Sequence, residues 1–164
     1  VSFEKVVELA GYFGAHAIWC VSDAESLVPM LAAQGGNGAV RMVRFEADEL
    51  TEAVATARAA FEANQAGDEC AALLYDGFVT LATGKTDAIV VELVHYRDQH
   101  RATLALPYRH ASDPSGFAVF RPKFLDVPEA LRGSVAVLGE ALFRGVDRHA
   151  KGAAVWSRHL DDSH

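Results

Sequence analysis

Apolar side chains recur along this chain with two different spacings, and the switches between them mark its elements. Phe3, Val6, Ala10 and Phe13 share one face of a helix that Ser2 can cap and Gly14 can end. HAIWCVS (16–22) and SLVPMLAAQ (26–34) are apolar runs that predict two strands joined at Asp23-Ala24-Glu25. The alternating AVRMVRFE (39–46) predicts a third strand after the flexible QGGNG turn. Leu50, Val54, Ala57 and Phe61 form the stripe of a second helix over about residues 48–64. From Cys70 to His110 the spacing returns to two, as in a strand meander. Beyond Asp126 it becomes helical again. Asp126 and Glu129 have capping-box spacing, and Pro128 sits in the first turn. Residues 126–160 are therefore predicted as a C-terminal helical segment, although Gly133, Gly139 and Gly145 each weaken a helix interior.

Within the meander, Asp76-Gly77 is a two-residue hairpin sequence, Gly84-Lys85 a second tight turn, and 98–101 a four-residue loop. This register gathers Leu73, Tyr75, Phe78, Asp87, Ile89, Val91, Leu93, His95, Leu104, Leu106, Tyr108 and His110 on one sheet face. Cys70, Ala72, Leu74, Ala88, Val90, Glu92, Val94, Ala105 and Arg109 fall on the other. Both faces are mainly apolar, so both need cover. The smaller residues of the second face admit helices closely, and the helices are assigned there. Glu92 has Arg109 as its diagonal neighbour, within reach of an ion pair that would offset burial of the carboxylate. The larger, aromatic first face is left for another layer, a ligand or a second copy of the chain.

The class that follows is α+β: a single domain over 1–164, a mainly antiparallel sheet, helices on one face and a C-terminal helical segment. A helix followed by three strands occurs at 3–46 and again at 49–96, with AIWCVSD and ALLYDG in matching places, which hints at a pseudo-repeat. The element order is similar to the secretion-chaperone type of fold, a likeness of order without shared motif residues.

One fragment has the look of a nucleotide motif. TLATGKTDAIVVEL (80–93) contains Gly84-Lys85-Thr86, the tail of a phosphate-binding loop. Such a loop needs an earlier glycine where this chain has Val79, and it must open a helix. The β-branched DAIVVELVHY that follows is a strand sequence, so the fragment reads as a turn and nucleotide binding is not expected.

Composition sharpens this picture only in places. The 164 residues are 51% hydrophobic and 23% charged, ordinary globular values. A net charge of −7 disfavours a nucleic-acid partner. No apolar run is long enough to span a bilayer, and the first residues lack a signal-peptide pattern. Cys20 and Cys70 lack metal-type spacing and fit buried thiols in a reducing compartment, so a cytoplasmic location is the expectation.

Charge is unevenly spread. Residues 95–123 hold Arg97, Arg101, Arg109, Arg121 and Lys123 against Asp98 and Asp113, together with His95, His100 and His110. That segment could seat one small anion. Tyr75, Asp87, His95, Arg97, Tyr108, Arg109, His110 and Arg121 are the candidate ligand-binding residues, with His95 and Asp87 available as acid and base. The histidine spacing matches no metal signature, and no cofactor motif is present, so neither a metal nor a cofactor is expected. The inventory is thin for catalysis. The function expected first is a non-catalytic interaction or adaptor domain acting as a homodimer. The alternatives are a binder of a small anion or a small acid–base enzyme.

Overall fold

The computed structural model describes residues 2–163. Helix α1 (Phe3–Val21) starts after Ser2 as predicted, but it does not stop at Gly14. HAIWCVS, expected as a strand, continues the helix. Ala17, Ile18 and Val21 extend the buried face of Phe3, Val6, Ala10 and Phe13, so packing of one long stripe overrides the local β preference of Ile18, Trp19 and Val21. Then come β1 (Met30–Gln34), β2 (Val40–Arg44), α2 (Leu50–Ala63), β3 (Cys70–Leu81), β4 (Gly84–His95) and β5 (His100–Arg109). Short strands β6 (Ala118–Val119) and β7 (Lys123–Asp126) precede a 3-10 turn (Glu129–Ser134), α3 (Val135–Asp147) and α4 (Ala150–His159). Each of the two expected units, 3–46 and 49–96, holds a helix followed by two strands rather than three. Asp126 ends β7 rather than capping a helix, and Pro128 precedes the 3-10 turn.

The chain is α+β, with one antiparallel sheet ordered β2-β1-β3-β4-β5-β6 and β7 also paired to β5. Asp76-Gly77 is not a turn. β3 runs straight through it, with Asp76 opposite Ile89 and Gly77 opposite Ala88. The chain reverses at Ala82-Thr83, and Gly84 opens β4 at φ +115°, a value that favours glycine. The next reversal occupies 96–99 instead of 98–101. Val91 therefore faces Leu104, not Tyr108. Each partner has slipped by an even number of positions, so residues 87–108 keep their expected faces. Residues 70–75, counted through a turn that does not exist, lie on the face opposite to the expected one.

The face carrying Leu74, Ile89, Val91, Leu93, Leu104 and Leu106 packs on α1, against which α3 and α4 also lie. This is not the small-residue face to which the helices were assigned. The long apolar stripe of α1 buries more area against large aliphatics, and area decides. α2 covers part of the other face, where Ala57 and Phe61 meet Ala71, Leu73 and Val94. Gly11 and Gly145 let α1 and α3 cross backbone to backbone: a methyl group on Gly145 would lie 2.0 Å from the Glu8 carbonyl oxygen. Among the described residues no helix is long and apolar enough to cross a membrane.

Candidate functional site

Four of the eight residues singled out in the sequence converge. Asp87, Tyr108, Arg109 and His110 line a cleft of about 350 Å³ where β4 begins and β5 ends, with Lys85 and Asp113 at its rim. The strand alternation explains the grouping. Asp87 lies on the α1 face, and Tyr108 extends that face one strand over. A fifth group, Asp76, escaped notice because it was read as a turn residue. It stands on β3, and its carboxylate accepts a hydrogen bond from the buried Tyr108 hydroxyl at 2.8 Å. Burial pushes the Asp76 carboxyl above its ordinary range; the nearby Asp87 charge adds to this, while the Tyr108 hydrogen bond opposes it. Burial and Asp76 together push the Tyr108 phenol up. Two of the basic side chains here, Arg109 and His110, are already engaged. Arg109 donates to the Gly116 and Ser115 carbonyls at 2.7 and 3.1 Å, and His110 meets the Ser112 hydroxyl at 2.8 Å.

The other four lie elsewhere. His95 is buried at the opposite end of β4, with Nδ1 3.1 Å from Asp98. It is eight positions from Asp87 along one extended strand, roughly 27 Å, so the two cannot act on one substrate as acid and base. Arg97 is exposed in the 96–99 turn, and Arg121 is exposed just after β6. Tyr75 projects from the other sheet face into a polar triad. Its hydroxyl donates to Glu92 at 2.7 Å, and Arg58 of α2 binds the same carboxylate at 2.5 Å. Glu92 thus pairs with Arg58 and not with Arg109, because Arg109 sits far along β5 and α2 lies over this part of the sheet. The Arg/His-rich segment is consequently not one site. Arg101 is bound to Glu62 at 2.8 Å, and no group of three His, Cys, Asp or Glu among the described residues could hold a metal ion.

A second feature lies at the sheet's other edge. β6 and β7 cover the outer side of β5, but β2 pairs only with β1 among the described strands. Gly35 N–H donates to the Ala39 carbonyl at 3.0 Å, and Phe45 N–H donates to the Pro29 carbonyl at 2.9 Å. Antiparallel bonding alternates, so Arg41 and Val43 also bond inward to β1, while Val40, Met42 and Arg44 turn their N–H and C=O groups outward. Val40 and Val43, on opposite faces, are 46% and 47% exposed. Each face has a groove beside this edge. On the α1 side a cavity of about 820 Å³ runs between Leu9, Phe13 and His16 and the strand residues Val40 and Met42. On the α2 side a cavity of about 520 Å³ is walled by Leu31, Val43, Phe45 and Tyr96. Arg41 is tied back to Asp68.

A basic, aromatic surface flanks the α1-side groove. Arg148 lies over the Tyr12 ring and Lys151 over the Trp19 ring, and Arg44 acts on His16. None of these three cations makes an ion pair among the described residues. The open edge had one signal in the sequence, the alternating VRMVR segment; that it would be an outer strand depended on the sheet order. Comparison with protein-family models, with curated proteins and with solved structures finds no match to this chain, so the likeness to the secretion-chaperone type of fold rests on element order alone.

Proposed function

We propose that this chain is a non-catalytic interaction domain that takes up an extended, acidic segment of another protein as an added strand on β2. The observation that carries the reading is the outward backbone row at Val40, Met42 and Arg44. Main-chain hydrogen bonds to such an edge give affinity, and alternate side-chain pockets give selectivity. Edge strands are commonly guarded by charged side chains. Here Arg41 is held against Asp68, which leaves Val40 and Val43 standing beside the free backbone. The acidic character of the partner follows from Arg44, Arg148 and Lys151 around the groove, in a chain whose net charge is −7. A second copy is the competing occupant. Self-pairing about Met42 sets Arg44 opposite Val40, but it would also bring two basic surfaces together.

Short peptides alternating Asp with Val, and matched peptides alternating Lys with Val, test this by amide chemical shifts. The Asp series should shift Val40, Met42 and Arg44, and Met42→Pro should abolish the effect while leaving the β1 pairing in place, because the Met42 N–H faces outward. Shifts confined to other elements, or equal binding of both series, would overturn it. A solution mass of twice 17.6 kDa that Met42→Pro halves would make the second copy the occupant.

A second reading, a ligand or acid–base site in the polar cleft, is favoured by the raised Asp76 carboxyl beside Asp87. The engaged state of Arg109 and His110 weakens the anion-binding form of that reading. A thermal-shift screen of small amines against small carboxylates and phosphates separates the two signs of ligand.

A further inference from the structure

We infer that His16 and His149 form a proton-sensitive latch that holds α4 against α1 only while both rings are neutral. The argument is independent of the β2 edge and starts from hydrogen-bond roles. His149 is the N-cap of α4, and its Nδ1 accepts the Gly152 N–H at 2.9 Å. An accepting Nδ1 carries no proton, so the neutral ring must carry its proton on Nε2. That Nε2 lies 3.1 Å from His16 Nδ1. His149 is then the donor and His16 Nδ1 the acceptor, which places the His16 proton on its own Nε2. Both tautomers are set by geometry.

One added proton cannot fit this arrangement. On His149 Nδ1 it meets the Gly152 N–H, and the helix loses its cap. On His16 Nδ1 it meets the His149 Nε2–H, and the link between the helices is lost. Each site trades a hydrogen bond for a pair of opposed donors. Among the described residues, none of the charged groups that act on His16 is an anion. From α1 the pair is faced by Tyr12 and Trp19, with ring centroids 5.1 and 5.9 Å from His149. Arg44 acts from β2, Arg148 lies over Tyr12, and Lys151 of α4 lies over Trp19. Burial first, then His149 and Arg44, lower the proton affinity of His16 below that of a free histidine. The sign follows: a ring that binds protons better when released loses its docked form as pH falls. Docking is complete above the ordinary histidine value of about 6.5 and weakens below it.

What the latch controls is visible in the packing. Gly152 sits so close to α1 that a methyl group there would lie 2.4 Å from the Ala15 carbonyl oxygen. α4 carries the buried Trp156 and leads into Leu160, which bridges to Val119, while the Asp161 N–H donates to the Val119 carbonyl at 2.8 Å. Loss of the cap loosens α4 and, with it, the covering of β6.

The test uses histidine side-chain ¹⁵N spectra and amide exchange of the full chain. At pH 8 both rings should show neutral forms protonated at Nε2. Between pH 7.5 and 5.5, protection of α4 amides, corrected for intrinsic exchange, should fall at least about tenfold relative to α3, the factor expected from one lost hydrogen bond. His149→Asn, which caps without titrating, should abolish that difference. A His149 proton on Nδ1 at pH 8, or the same relative loss in His149→Asn, would overturn the latch. If that variant does not fold, the native protein decides: equal loss of protection in α3 and α4 overturns it.

Discussion

Tyr108 on β5 donates its hydroxyl hydrogen to Asp76 on β3, reaching 2.8 Å across the intervening β4. The bond joins two strands that are not neighbours in the sheet. Tyr108→Phe leaves the Asp76 carboxylate without its donor in a half-buried place and should cost about 1–3 kcal/mol. It should also raise the Asp76 carboxyl further, since the hydrogen bond now opposes that shift. Denaturant unfolding of the variant measures the first, and carboxyl ¹³C titration the second.

The same carboxyl sets a pH dependence. Its folded value lies above the ordinary one of 3.8, so the folded state holds the proton more firmly than the unfolded chain. Stability from this group is full below the ordinary value and declines as pH rises through the raised one. Asp76→Asn, which mimics the protonated form, should remove that decline. Urea midpoints from pH 3.5 to 7 check this; a slope unchanged in Asp76→Asn would show that other carboxylates dominate.

On the opposite face, Arg58, Glu92 and Tyr75 form one connected network that ties α2 to the sheet. A double-mutant cycle between Arg58→Gln and Glu92→Gln should give a coupling of about 1 kcal/mol or more, above the usual exposed pair. The cycle between Glu92 and Arg109 should give none, because Arg109 is bound to the Gly116 and Ser115 carbonyls.

Two glycines of α3 should behave in opposite ways. Nothing lies within 4 Å of a methyl group placed on Gly139, so Gly139→Ala should stabilise the helix by about 0.4–1 kcal/mol. Gly145→Ala would push a methyl into the α1 backbone and should cost about 1–3 kcal/mol or more. Melting temperatures of the two variants, moving in opposite directions, check the α1–α3 crossing.

These residues also show what the sequence made legible. α2, β2, the 70–110 strands and the helical tail were readable because each keeps one period over its length. The face of every residue from Asp87 to Tyr108 was readable for the same reason, even with the partners displaced. Asp76-Gly77 misled because a dipeptide preference is worth little against twelve residues of continuous pairing in β3. HAIWCVS misled because its strand character is local, whereas α1 gains from burial along its whole length. The grouping of Asp87, Tyr108, Arg109 and His110 was half visible: their types were noted, but Asp76 and the separation of His95 depended on the true turns. The open edge and the His16–His149 contact depend on strand order and on contacts across 133 positions, which periodicity does not encode.

The cysteines give the last prediction. Cys20 and Cys70 are both free, Cys20 half-exposed on α1 and Cys70 buried at the start of β3. Burial pushes the Cys70 thiol up to about 11, with Glu69 and Asp68 adding to the effect. Burial also raises Cys20, but the Arg44 guanidinium opposes the rise. The thiolate is the reacting species, so at neutral pH the two should separate in rate. Intact-mass measurement with iodoacetamide at pH 7.5 should show one addition well before the second, and Cys20→Ser should remove the fast one. Cys70 should react only at the rate of unfolding or strand opening, and denaturant should bring both to one rate. Two additions with equal kinetics in the folded protein would mean that the start of β3 is open to solvent, against its pairing with both Gln34 and His95.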